Sequence, residues 1–85
     1  MVADAFDYTS IAEKVEKVVR AAFPNASIET EKAYQGRVRL KIVSKDFNGM
    51  TEEEKQRIIW DVLRSELGTD SPYVSLALVY GMDEI

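Results

Sequence analysis

The chain has no cysteine and no histidine. Without cysteine there is no disulfide, no thiolate metal ligand and no thiol nucleophile, a composition that suits a reducing compartment. Without histidine the commonest general acid–base group and the commonest metal ligand are also missing. A zinc site would have to be built from carboxylates alone, against the usual nitrogen and sulfur chemistry of zinc. No apolar run approaches the roughly 20 residues of a membrane helix. The N-terminus is acidic and lacks the basic flank of a signal peptide. The expectation is a cytoplasmic protein that does not engage a membrane. Bases are outnumbered by acids, 11 against 15. A net charge of −4 excludes a surface that binds nucleic acid indiscriminately.

What is present is one small domain of 85 residues, 46% hydrophobic, with its single core organised around the stretch from Arg37 to Leu67. Val38, Leu40 and Ile42 alternate with Arg37, Arg39 and Lys41, the period of a strand with one buried face. Asp46, Asn48 and Gly49 supply turn chemistry. Thr51 and Glu54 form a capping box that opens a helix. Ile58, Ile59, Val62, Leu63 and Leu67 give that helix an apolar face, and Gly68 ends it.

Around this unit, residues 1–7 carry no pattern and read as a loose lead-in. Ser10 and Glu13 form a second capping box ahead of a helix whose inner face is Ile11, Val15, Val18, Val19 and Ala22. Pro24 ends it near Ala22. Residues 26–33 alternate weakly and reach the central strand through a three-residue hairpin loop, Tyr34-Gln35-Gly36, with Gly36 in the left-handed position. That register sets Glu31 opposite Arg39 and Glu29 opposite Lys41, opposed charges that favour it. After the turn at Thr69–Pro72, Tyr73–Tyr80 is almost wholly apolar. Val74, Leu76, Leu78 and Tyr80 occupy one side, and Tyr73, Ser75, Ala77 and Val79 the other, with Ala77 and Val79 expected on the open face. A right-handed crossover makes this strand parallel to the central one. Gly81–Ile85 reads as an acidic tail. The order α-β-β-α-β describes an α+β domain, a three-stranded mixed sheet with helices on one face.

These residues resemble the BolA-like family. The likeness runs from Ile11 almost to the end of the chain. It rests on Ser44-Lys45-Asp46-Phe47-Asn48-Gly49, on Arg57 and the helix end Leu63-Arg64-Ser65-Glu66-Leu67, and on Val74-Ser75-Leu76-Ala77-Leu78 with Gly81–Glu84 after it. The resemblance implies a fold similar to the class II KH fold. It also implies a role in iron or iron–sulfur homeostasis beside a monothiol glutaredoxin, and in some members DNA binding and stress-linked regulation. The chain departs from the pattern at the family's histidines. Its Arg-His-Arg cluster is Lys55-Gln56-Arg57 here, and the histidine of the closing strand falls at Val74. A [2Fe–2S] cluster needs thiolate or imidazole donors, so the resemblance implies an adaptor that contributes no cluster ligand and holds no cofactor.

Two surfaces follow as candidates. Phe47, Gly49, Lys55, Gln56, Arg57 and Val74 make up the expected partner-docking site. Arg37, Arg39 and Lys41, with Lys55 and Arg57, form the alternative, a basic stripe for nucleic-acid backbone. Glu29 and Glu31 oppose that stripe, and Glu52, Glu53 and Glu54 occupy the helix N-terminus where an anion would sit. Trp60 is expected to pack at the edge of the helix. Ser10, Ser44, Ser65 and Ser71 have no histidine or obvious base nearby in sequence, so catalysis is not expected. An uncharged closing strand leaves either a monomer or a weak homodimer.

Overall fold

A computed structural model describes residues 8–85; the lead-in assigned to residues 1–7 lies outside the described residues. Five elements carry the fold: α1 (Tyr8–Ala22), β1 (Ser27–Lys32), β2 (Val38–Val43), α2 (Glu52–Leu67) and β3 (Val74–Tyr80). The sheet runs β1-β2-β3, with β1 antiparallel and β3 parallel to β2. This is the expected α+β domain with a three-stranded mixed sheet.

The charges set the β1–β2 register as expected. Glu31 pairs with Arg39 and Glu29 with Lys41, and the Glu31–Arg39 contact closes to 2.8 Å. The hairpin takes a 3-10 turn over Tyr34–Gly36 in which both Gln35 and Gly36 have positive φ. β2 buries Val38, Leu40 and Ile42 completely. α1 covers them with Val15 and Val19, and α2 with Ile59 and Leu63. Each such aliphatic side chain contributes about 1.5–3 kcal/mol on leaving water. Thr51 caps α2 with both halves of the capping box formed: its Oγ1 accepts from Glu54 N–H at 3.1 Å, and Thr51 N–H donates to the Glu54 carboxylate at 2.8 Å.

Three expectations need correction. α1 already includes Tyr8 and Thr9, so Ser10 lies inside the helix and is not its cap. Ala22 is exposed, and Ala12 takes its place on the buried face. The third correction matters most for function. Val38 pairs with Val74, yet the next residue, Arg39, pairs with Leu76. Ser75 is the extra residue of a β-bulge, and a bulge shifts the two-residue alternation by one. Ala77 and Val79 therefore turn into the core, 2% and 1% exposed. Leu76, Leu78 and Tyr80 move to the open face beside Arg39 and Lys41.

Candidate functional site

The segment after β2 is pinned before it reaches α2. Ser44 is buried, and its Oγ accepts from Asp46 N–H at 3.1 Å while donating to the Asp46 carboxylate at 2.9 Å. This starts the one-turn 3-10 helix Lys45–Phe47. Phe47 points inward and packs against Phe23 in a tilted arrangement, with ring centroids 5.0 Å apart at 52°. It is 1% exposed, so it supports the candidate docking surface from beneath. Gly49 is exposed and left-handed, at φ +76.

The residues after β3 return to this loop. They are not a free acidic tail but another one-turn 3-10 helix, Met82–Glu84. Gly49 N–H donates to the Asp83 carboxylate at 3.0 Å, and Asp83 N–H donates to Asn48 Oδ1 at 3.1 Å. Glu84 completes the clasp. Its carboxylate accepts Gly81 N–H at 2.7 Å and Lys55 Nζ at 2.7 and 2.8 Å. Lys55 also lies 3.3 Å from the Glu52 carboxylate. The Glu84 hydrogen bond raises the Lys55 pKa above its usual 10.5; desolvation opposes the rise and Glu52 adds to it. The Lys55 hydrogen bond, then Gly81 N–H, lowers the Glu84 pKa below its usual 4.5.

Lys55 is therefore not an exposed cation for a phosphate. It is 1% exposed and neutralised within its own chain. Its burial was legible in the spacing Lys55, Ile59, Leu63, Leu67, which places it at the head of the buried α2 stripe. A lysine there needs a carboxylate, but nothing in the sequence singles out Glu84.

The next residue turns the other way. Gln56 is half-buried. Its Nε2 donates to the Ala77 carbonyl of β3 at 2.8 Å, and its Oε1 accepts Trp60 Nε1–H at 3.0 Å. Trp60 is partly buried, at the edge of the helix as expected, and the Arg64 guanidinium lies 5.8 Å from its ring centroid. A chain of contacts thus ties the flank of α2 to β3. Arg57 is exposed on the same helix, whereas Val74 is buried at the start of β3. Of the six docking candidates, Gly49, Gln56 and Arg57 reach the surface, and Phe47, Lys55 and Val74 lie under it.

The open sheet face has three columns: Glu29 and Glu31 on β1, Arg39 and Lys41 on β2, and Leu76, Leu78 and Tyr80 on β3. Lys41 Nζ lies 5.9 Å from the Tyr80 ring centroid. Arg37 is exposed just before β2. This basic stripe does not join Lys55, which the clasp holds. Among the described residues no group of three or more acidic, histidine or cysteine side chains is placed to hold a metal ion, and no helix is long and apolar enough to cross a membrane.

Neither protein-family models nor curated proteins match this chain. Among solved structures, the chain superimposes on the NMR structure of a BolA-like hypothetical protein from Rickettsia prowazekii with a TM-score of 0.67. The match covers 92% of this chain and 97% of that one, at 21% identity. The fold is BolA-like. Within the BolA-like fold, Gln56 and Val74 are the positions where the sequence resemblance puts the family's histidines. Here one ties a helix to an edge strand and the other fills the core.

Proposed function

We propose that this chain is a non-enzymatic, BolA-like adaptor of a reducing, cytoplasmic compartment. It binds a protein partner such as a monothiol glutaredoxin in iron or iron–sulfur homeostasis and supplies no cluster ligand. One observation carries the reading: a BolA-like fold is built from a chain without cysteine or histidine, the donors a [2Fe–2S] cluster requires. The docking surface consists of Gly49, Gln56, Arg57 and the rim of β3. Phe47, Lys55 and Val74 hold it in shape. The clasp stiffens that surface, which lowers the ordering cost of binding.

An amide NMR titration with an apo monothiol glutaredoxin tests this. Shifts are expected at Gly49, Gln56, Arg57 and along Val74–Tyr80. Their absence would remove the partner from the proposal, and a reconstituted cluster ligated by this chain would remove the no-ligand clause.

A second reading, a KH-like nucleic-acid module with a transcription-regulatory role, is favoured by the placement of Tyr80 beside Lys41 on the open face. That placement adds a stacking ring to Arg37, Arg39 and Lys41. Arg57 lies on α2, outside this face, and Lys55 is withdrawn from the reading. It calls for salt-dependent affinity that falls on charge reversal of Arg39 and Lys41. No binding at low salt would end it.

A further inference from the structure

The geometry points to a second copy of this chain as the occupant of the free edge of β3, paired antiparallel about a two-fold axis. A second copy there does not require the adaptor reading, but it would compete with a partner for the rim of β3 and Gln56. An edge strand presents unpaired N–H and C=O groups, and proteins commonly blunt such edges with charge. β1 is blunted in this way. Antiparallel self-pairing centred on Glu29, Thr30 or Glu31 sets a glutamate against a glutamate, which is destabilising. β3 is not blunted by charge: Val74–Tyr80 contains no charged residue. Among the described residues no strand lies beyond it.

The backbone groups at that edge can be assigned. The Tyr80 carbonyl turns toward β2 and accepts Ser44 N–H at 3.0 Å. Alternation along the strand turns the carbonyls of Ala77 and Val79 the other way. At Ala77 one acceptor position is already taken, by Gln56 Nε2 at 2.8 Å. A carbonyl oxygen has a second lone pair, open to an N–H of another chain.

A two-fold axis through Ala77, normal to the sheet, pairs Ala77 with its own copy and places Leu76 of each chain against Leu78 of the other. Leu76 is 44% exposed in the single chain, and the neighbouring leucine shields part of that surface. The flank of α2 that reaches β3 through Gln56 is self-complementary in its residue order. Glu52, Gln56, Trp60 and Arg64 recur every four residues, so they share one side of the helix. Run against its own reverse, this stripe brings Glu52 toward Arg64 of the second copy and Gln56 toward its Trp60. Trp and Arg are the residue types that most often anchor interfaces. The Arg39–Lys41 columns of the two copies are three strand spacings apart, about 14 Å. That exceeds the Debye length of about 8 Å at physiological salt, so they do not oppose the pairing.

Sedimentation equilibrium of the full chain from micromolar to millimolar concentration tests the proposal. The average mass of the wild type is expected to rise toward twice that of the chain. Leu76→Lys and Leu78→Lys, both on the open face, should stay at the single-chain mass with unchanged circular dichroism. Arg64→Glu should weaken the association, and Glu52→Arg combined with Arg64→Glu should restore it; this pair decides the matter should a leucine variant fail to fold. A single-chain mass at the highest concentration overturns the proposal, and so does a dimer that survives both leucine substitutions or ignores the charge swap.

Discussion

Replacing Gly81 with alanine puts a number on how tightly the turn after β3 is seated. Gly81 is buried, with φ −79 and ψ 160, angles that any residue adopts, so alanine carries no backbone penalty there. Its Cβ would instead lie 2.5 Å from Asp83 Oδ1, 2.8 Å from Asn48 Oδ1 and 3.0 Å from Asn48 Cα. The carboxylate can swing aside, but the Asn48 backbone is fixed between the Lys45–Phe47 turn and α2, so the turn must move as a whole. Overpacking of this kind costs about 1–3 kcal/mol. Stiffening of the unfolded chain returns about 0.4–1 kcal/mol. At the middle of these ranges the net loss is about 1.3 kcal/mol, a drop in Tm of roughly 5–10 °C for a chain of this size. Thermal unfolding by circular dichroism reads it, with the amide shifts of Gly49 and Asp83 reporting on the turn itself. Adding Asp83→Ala should recover only part of the loss, because the Asn48 backbone contact remains. A Gly81→Ala protein as stable as the wild type would mean that the turn is loosely held and the clasp is incidental.

The Glu84–Lys55 pair gives stability a pH window. The carboxylate pKa is lowered in the fold, so its contribution is complete above about 4.5 and disappears as pH falls through the folded value; the ammonium pKa is raised, so its share is complete below about 10.5 and disappears as pH rises through the folded value. Urea unfolding of the wild type beside Glu84→Gln should show a steeper acid-side slope in the wild type, and equal slopes would refute the pairing. Thr51→Ala removes the Glu54 N–H acceptor and should lower stability by about 1 kcal/mol in the same assay; no change would show that α2 does not depend on its cap. Deleting Ser75 should leave the fold and its spectrum intact, because the strand then runs in regular alternation from Val74 inward to Leu76 outward. Deleting Ala77 should unfold the domain, by turning Leu78 inward and Val79 outward, and a folded product would contradict the phase of β3.

How much of this was legible in the sequence follows from where the chain offered contrast. Glu29 and Glu31 against Arg39 and Lys41 could satisfy their charges in one register only, and the hairpin obeys it. Thr51 and Glu54 signalled the start of α2 because an apolar stripe follows at once. Ser10 and Glu13 have the same spacing but fall inside α1, since Ser-x-x-Glu is as compatible with a helix interior as with its cap. β3 offered no contrast: both of its sides are apolar, so a bulge at Ser75 leaves no mark on the pattern, and the face assignment inverted. The clasp joins Asn48 and Gly49 to Asp83, and Lys55 to Glu84, across spans that local spacing does not encode. Of the candidate site, the surface positions Gly49, Gln56 and Arg57 could be read from the chain, but the self-neutralisation of Lys55 could not.

The three columns of the open face have a consequence for how fast anything could find it. Acids on β1 and bases on β2 stand one strand spacing apart, about 4.8 Å, closer than the screening length of the solution. Their fields cancel within a few ångströms of the surface, so an approaching molecule experiences almost no attraction or repulsion until it touches. Encounter of a weakly charged protein with this face is then governed by diffusion and orientation, with on-rates nearly indifferent to ionic strength. Discrimination among visitors occurs after contact, where the leucine and tyrosine column and the neighbouring charges are met one at a time.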